Sequence, residues 1–290
     1  MNSKIIDILR EYPIQPIVQI AELKKGNTSR PILITTTNNT YVLRRIKDIK
    51  QAKTEFLISK ALSEYKISST IVETKNQLPY VHRIESVYNL QPYIKHDIVK
   101  REIDFEMLGK VILTFHDVIR SIEGIYEQPD RFALSDMWKE LIHRNVEIQG
   151  GLYHIVEKCL AYEEDDTGYI HGDLGKWNLL FYGQDIYIID FGEVRKGNQH
   201  FDLAAVITST IDWQSNDSWM IHALQQFQRG YQGINWRMLK EQIDVWLIRG
   251  IVAMFIQDGV TSETKKYAKM LMNRRERLET IIMYHFLEKR

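Results

Sequence analysis

The 290-residue chain balances 38 Lys and Arg against 38 Asp and Glu, which argues against a nucleic-acid binder, since such proteins normally show a basic excess or stripe. At 44% apolar and 26% charged it has the composition of a soluble globular protein with a sizeable core, and its single cysteine excludes an internal disulfide or a cysteine-built metal site. No segment reaches the ~18 apolar residues of a membrane span, and the opening MNSKIIDILREYPIQ carries charges inside its apolar stretch, unlike a signal peptide; a cytoplasmic protein with neither membrane nor nucleic acid as partner is expected.

Ile17 to Leu23 is a short apolar run closed by the polar turn residues Lys24 to Ser29. Pro31 to Thr37 and Thr40 to Ile46 are β-branched or alternating, with Asn38-Asn39 between them as a hairpin signal. From Asp48 to Tyr65 the period turns helical, with Phe56, Ile58, Leu62 and Tyr65 among charges. Pro79 to Val87 and Tyr88 to Ile94 read as two further strands, which predicts a five-stranded antiparallel sheet with one helix inserted after the third strand. Lys95 to Asp97 is a polar break that divides residues 1–95 from 96–290. Beyond it, Glu102 to Ile119 is an amphipathic helix, and Asp136 to Ala161 holds one or two more, with Cys159 expected as a buried structural thiol. Tyr169-Ile170 and Asp185 to Ile189 are short strands bracketing a polar loop; from Phe201 onward the pattern is helical, and Gln242 to Ile256 is apolar enough to be buried. The predicted class is α+β, with a small sheet lobe and a larger helical lobe.

The chemistry concentrates between Tyr169 and Asp202. His171-Gly172-Asp173 is followed, after four residues, by Asn178, and twelve residues further on by Asp190-Phe191-Gly192. Phosphoryl transfer needs a carboxylate beside the acceptor hydroxyl and hard oxygen ligands that hold Mg²⁺ against the phosphates. The kinase catalytic loop and magnesium loop supply them at these spacings and in this order. Asp173 is then the candidate base, His171 a supporting imidazole of the same loop, and Asn178 and Asp190 the candidate metal ligands. Taken alone, each triplet is also an ordinary turn sequence.

The pattern His171-Gly172-Asp173-Leu174-x-x-x-Asn178, with Gly172 where protein kinases have Arg, resembles the aminoglycoside phosphotransferase and choline kinase superfamily. Leu108 to His116 (LGKVILTFH) is similar to that family's Leu-Gly-x-x-Leu-x-x-Leu-His helix. Phe201-Asp202-Leu203-Ala204 resembles its Asp-Leu-Ala segment, whose Asp opens a helix and supports the site, and Gly26-Asn27-Thr28 resembles its nucleotide-covering loop. The resemblance spans about residues 15 to 260. It implies a bilobal protein-kinase-like fold, with residues 1–95 covering the nucleotide and 96–290 carrying catalysis and acceptor binding. It also implies ATP as donor, with GTP as an alternative, Mg²⁺, and a small-molecule hydroxyl acceptor that is aminoglycoside-, choline- or homoserine-like.

Two departures stand out. Arg44 occupies the third-strand place where many members have Lys, with Glu55 as the matching acid; the same residues also read as a surface Arg and a surface Glu. An Arg fork is not equivalent to an ammonium. Gly26 is the only glycine of the nucleotide loop, leaving the amides of Asn27 to Ser29 to cradle phosphate. Leu90 to Ile94 falls where the family's hinge runs, which would turn backbone groups of Gln91 and Tyr93 to the purine edge; an edge strand with Pro92 is the other reading. Glu193, Asp212 and Trp213, with Asp217 and Trp219, are acceptor-site candidates that would suit a cationic amine, or else caps and core. Arg274 to Arg277 reads as a solvated helix face. Only eleven residues separate Asp190 from Asp202, too few for a long peptide-binding loop, which favours a small acceptor. The alternative from another class is a non-catalytic kinase-like scaffold such as a spore-coat component, against which stand the intact Asp173, Asn178 and Asp190.

Overall fold

The computed structural model describes residues 2–23, 31–84, 86–97, 102–144, 150–163 and 168–288. Two compact units interleave along the chain: Met1–Arg101 with Asp117–Tyr126 and Leu179–Gly192, and Glu102–His116 with Glu127–Asn178 and Glu193–Arg290.

The first unit opens with helix α1 (Asn2–Leu9), followed by strands β1 (Ile17–Glu22), β2 (Ile32–Thr36) and β3 (Thr40–Ile46), helix α2 (Ile49–Glu64), and strands β4 (Val81–Arg83) and β5 (Ser86–Pro92). The strands form the five-stranded antiparallel sheet that the patterning predicts, in the order β1-β2-β3-β5-β4. The last reversal falls earlier than expected. Ile84 is 93% exposed with φ of 51°, so Ser86 and Val87 start β5 instead of ending β4; no Gly, Pro or Asn marks the turn in the sequence. Helix α1 was not expected. Ile5, Ile8, Leu9 and Tyr12 recur at helical spacing, and they are buried in one cluster with Ile34, Leu43, Val81 and Leu90 of the sheet. Helix α2 starts where Asp48 accepts the Gln51 amide at 2.8 Å, an N-cap that satisfies one of the free donors of the first turn.

The chain continues with helices α3 (Phe105–Arg120), α4 (Leu134–His143) and α5 (Gly150–Glu163), strands β6 (Gly168–Ile170), β7 (Leu179–Tyr182), β8 (Asp185–Ile188) and β9 (Arg195–Gly197), and helices α6 (Gln199–Thr210), α7 (Asp217–Gly230), α8 (Trp236–Asp258) and α9 (Ser262–Ile282). The two short strands read from sequence do not pair with each other. β8 pairs with β7, and β6 with β9; β9 is Arg-Lys-Gly and carries no strand signal of its own. The β7–β8 hairpin belongs to the first unit, held there by the Ile188 amide on the Ile67 carbonyl at 2.8 Å and by Ser68 Oγ on the Ile188 carbonyl at 3.0 Å.

In the second unit α8 is buried through Leu239, Ile243, Leu247, Ile248 and Ile251, as its apolar run predicts, and Cys159 is buried with its thiol pushed up to about 12 by desolvation. No helix among the described residues is long and apolar enough to cross a membrane. Helices α3 and α7 cross backbone to backbone. A Cβ on Gly109 would lie 2.5 Å from the Phe227 carbonyl oxygen, and one on Gly230 would lie 1.9 Å from that of Glu106. Gly109→Ala therefore separates two helices whose backbones cannot yield, and should cost about 1–3 kcal/mol, read as a lower urea midpoint at unchanged slope.

Candidate active site

In the first unit the third-strand arginine is not on the surface. Arg44 Nη1 lies 3.2 Å from Glu55 Oε2, and its Nη2 lies 2.5 Å from Asp190 Oδ1. Glu55 is fully buried and is also held by Gln51 Nε2 at 2.7 Å and Asn89 Nδ2 at 3.0 Å. Register explains Asn89, which stands directly opposite Arg44 in the β3–β5 ladder. Burial works against the Arg44 charge, but Glu55 and Asp190 outweigh it and raise its pKa; burial likewise pushes the Glu55 carboxyl up, against the pull of Arg44. Asp190 sits at φ of 67°, a left-handed conformation that a non-glycine residue adopts at a cost and that clusters at functional sites. Two residues on, a Cβ at Gly192 would meet Gln51 Nε2 at 2.5 Å, so the glycine after Phe191 is what lets the Asp190 turn lie against the Glu55 cluster.

In the second unit the loop after β6 is organised by a buried carboxylate. Asp202 Oδ2 accepts the His171 amide at 2.7 Å and Oδ1 the Gly172 amide at 3.0 Å. His116 Nε2 lies 3.1 Å from Oδ2, and its Nδ1 lies 3.0 Å from the Tyr231 hydroxyl. Asp202 and both histidines are fully buried. Burial opposes the Asp202 charge, yet the hydrogen bond and charge of His116, together with His171, outweigh it and hold the carboxyl below its ordinary range. The helix opens differently from the family-based expectation: Asn198 is the N-cap of α6, and Asp202 lies in its first turn with its side chain turned to the loop. Gly172 has φ of 80°, and a Cβ there would fall 1.8 Å from Arg195 Nη1, so the guanidinium of β9 fills the notch that the glycine leaves.

Asp173 is held from its own loop. Asn178 Nδ2 donates to the Asp173 carbonyl at 2.7 Å and to its Oδ2 at 3.2 Å, and the Trp177 indole N–H donates to the same Oδ2 at 3.2 Å. His171 Nδ1 lies 3.4 Å from the Asp173 amide. Trp177 carries no motif signal and sequence reading missed it. Its ring lies across Gly175, where a Cβ would come within 2.2 Å, stacks on Trp246 at 6.3 Å, and is still 58% exposed.

Other expectations fare differently. Gly26 and Asn27 lie outside the described residues. The Tyr93 amide is taken by the Thr40 carbonyl at 2.9 Å, and Gln91 stands opposite Val42 in the same ladder. Backbone direction alternates along a strand, so Gln91 and Tyr93 face β3, and the groups that face away belong to Leu90 and Pro92. The Leu90 carbonyl accepts the Val72 amide at 2.8 Å. Glu193 pairs with Arg131 at 2.5 Å, and burial raises its carboxyl. Asp212 and Trp213 close the turn between α6 and α7: Asp212 accepts the Gln214 amide at 3.1 Å, and the Trp213 indole donates to the Thr208 carbonyl at 3.1 Å. Phe105 and Trp219 meet edge to face at 5.8 Å. The arginine run on α9 is not a solvated face. Arg275 binds Asp244 at 2.9 Å, and Arg277 reaches Asp217 at 2.7 Å and the Ser215 carbonyl at 2.6 Å. Both are drawn inward by acids on neighbouring helices that local sequence does not reveal.

The sequence profile of the phosphotransferase enzyme family matches residues 19–241, and the chain belongs to that family. No curated protein matches it by sequence. Among solved structures it is similar to an aminoglycoside phosphotransferase from Alicyclobacillus acidocaldarius, at 15% identity and a TM-score of 0.69 over 96% of this chain and 93% of that one. It is similar to an amicoumacin kinase solved with AMP-PNP and Ca²⁺, at 13% identity and a TM-score of 0.73 over 97% and 94%. A microcompartment-associated aminopropanol kinase gives 15% identity and a TM-score of 0.73 over 97% and 98%. At these identities the likeness establishes a shared fold, the protein-kinase-like α+β architecture.

Asp202 has a depressed folded pKa, so its stabilising contribution is present above the unfolded value of about 4 and is lost as pH falls through the folded one. Asp202→Asn turns an amide group onto backbone donors and should cost about 3 kcal/mol near neutral pH. The stability gap between wild type and variant should then narrow below about pH 4, as read from urea midpoints across that range; a gap independent of pH would refute the ionised assignment.

Proposed function

We propose that this phosphotransferase moves the γ-phosphoryl group of ATP to a hydroxyl of a small molecule, with Asp173 as the base. The observation that carries the reading is the Asp173 carboxylate itself, oriented by Asn178 and Trp177 in a loop whose backbone is clamped by Asp202. A positioned carboxylate can accept the hydroxyl proton as the oxygen attacks phosphorus. His171 acts as a positioning residue through the Asp173 amide.

Asn178 and Asp190 each offer an oxygen that suits a hard cation. Asn178 turns its Nδ2 toward Asp173, leaving Oδ1 for a metal, and the Asp190 side chain is 45% exposed. Mg²⁺ takes one or two protein oxygens and fills its shell with water and phosphate. When bound, Mg²⁺ neutralises charge on the phosphates. Arg44 keeps Glu55 as its constant partner; its second bond, to Asp190, is the one that phosphate would replace. For the nucleobase, the Pro92 carbonyl replaces Gln91 and Tyr93 as the proposed edge contact, because it faces away from β3.

The chain from Phe191 to Gln199 is consumed by a 3₁₀ turn at Phe191–Glu193, by β9 and by the start of α6. That leaves no span for a protein-substrate loop and supports a small acceptor. Glu193 and the exposed face of Trp177 are the proposed acceptor contacts. Asp212 and Trp213 are engaged in their own turn, and Asp217 is neutralised by Arg277.

Nucleotide at 100 times its Kd should add about 2.7 kcal/mol of stability, so ATP or GTP with Mg²⁺ should raise the unfolding temperature where nucleotide or metal alone does not. Asp173→Ala should keep that shift and lower turnover by about 10²–10⁴-fold, measured as ADP release with a panel of hydroxyl acceptors. Folded protein without any nucleotide response would overturn the reading.

A further inference from the structure

The second unit contains a cavity of about 290 Å³ whose wall includes Asp130, Arg195, Asn198, Phe201, Gln242 and Arg249 and neither Asp173 nor Asn178. Its wall carries three acids, Glu127, Asp130 and Glu163, and three cations, Arg195, Lys196 and Arg249, but the acids are unevenly shared. Asp130 accepts Arg195 Nη2 at 2.7 Å and Arg249 Nη2 at 2.7 Å, so one carboxylate serves two guanidinium groups, each only 7% exposed. The remaining charged groups of the wall are spent elsewhere. Lys196 pairs with Glu127 at 3.0 Å, and Glu163 caps α4 by accepting the amides of Leu134 and Ser135 at 2.5 and 3.1 Å. Both guanidinium groups lie over the Phe201 ring, at 5.5 Å for Arg195 and 5.1 Å for Arg249, which holds their planes in place.

A second observation points the same way. Asn198 lines this cavity and is 4% exposed. Its Oδ1 caps α6 through the His200 amide at 2.9 Å, whereas its Nδ2 has no hydrogen-bond partner among the described residues. A buried donor is rarely left without one. Two guanidinium groups sharing one acid and an unpartnered amide donor on the same wall are all donors, and planar forks match carboxylate and phosphate oxygens. Burial lowers the Arg195 pKa, with the charge of Arg249 adding to it and those of Asp130, Asp202 and Glu193 opposing it.

We propose that this cavity is a binding site for a small oxyanion, a phosphate or carboxylate group held by Arg195, Arg249 and the Asn198 amide. It would be an effector site, separate from the phosphoryl-transfer residues but adjoining them, since Arg195 also fills the notch at Gly172 beside Asp173. The inference does not depend on the proposed activity.

The test is thermal unfolding of the full chain, without nucleotide or Mg²⁺, in inorganic phosphate or acetate against sodium chloride at equal ionic strength. Asp caps helices as well as Asn, so Asn198→Asp keeps α6 capped while placing a carboxylate against the guanidinium pair. Wild type should show a saturable rise of several degrees, with phosphate or acetate identifying the oxyanion preferred. Asn198→Asp should melt higher than wild type in chloride and lose that response, while any ATP–Mg²⁺ shift stays unchanged. Equal phosphate and acetate responses in wild type and variant, or none beyond chloride in wild type, would overturn the site. If the Asp variant does not fold, Asn198→Ser, which keeps a capping hydroxyl, should weaken phosphate or acetate binding at least tenfold by isothermal titration; undiminished affinity would overturn the proposal equally.

Discussion

A carboxylate removed from water keeps its charge only where donors surround it, and Asp202 meets that condition with groups from two distant stretches of chain. The amides of His171 and Gly172 and the imidazole of His116 all point at it. The helix ending near His116, the loop bearing Asp173 and the first turn of α6 are therefore one electrostatic unit. None can shift without leaving a buried charge or a buried amide unpaired. His116 is braced in turn by Tyr231, just past the end of α7, and α7 reaches that place because Gly109 and Gly230 let it cross α3 in backbone contact. Small residues far from Asp173 thus decide where its backbone lies.

Arg44 shows how a substitution within a motif changes the chemistry. An ammonium is a compact point charge, whereas a guanidinium presents separate donors in a fixed plane. Arg44 uses Nη1 for Glu55 and Nη2 for Asp190, bridging α2 to the residue that follows the β7–β8 hairpin. Gln51 and Asn89 complete the shell around Glu55, so the acid is fixed whether or not Arg44 keeps its second contact. The first unit therefore carries a preformed Arg–Glu pair and an exposed Asp190 whose partner can exchange.

The sheet, the inserted helix and the Arg44–Glu55 pairing were legible because each is written in local periodicity or in residues a fixed number of positions apart. What was not legible depends on partners distant in sequence. Helix α1 shows a helical apolar stripe, but it is short and finds its reason only in the sheet face it covers. β9 has no strand pattern and exists because β6 needs a ladder partner. Gln91 and Tyr93 were assigned the wrong direction because backbone orientation follows the register with β3, which composition does not encode. Arg275 and Arg277 look like solvated charges until Asp244 and Asp217 arrive from other helices.

By itself the sequence determined the family: His171, Asp173, Asn178 and Asp190 occur in an order and spacing that resemble a phosphotransferase loop, and the family profile matches, since short-range spacing survives any folding. Only the tertiary structure decided which charges meet. Asp202 received its donors, Trp177 its place against Asp173, and Asp130 its two arginines, because long-range packing brought together side chains whose separation along the chain carries no signal. Buried charge forces such matches, since a burial that leaves one unpaired is not stable.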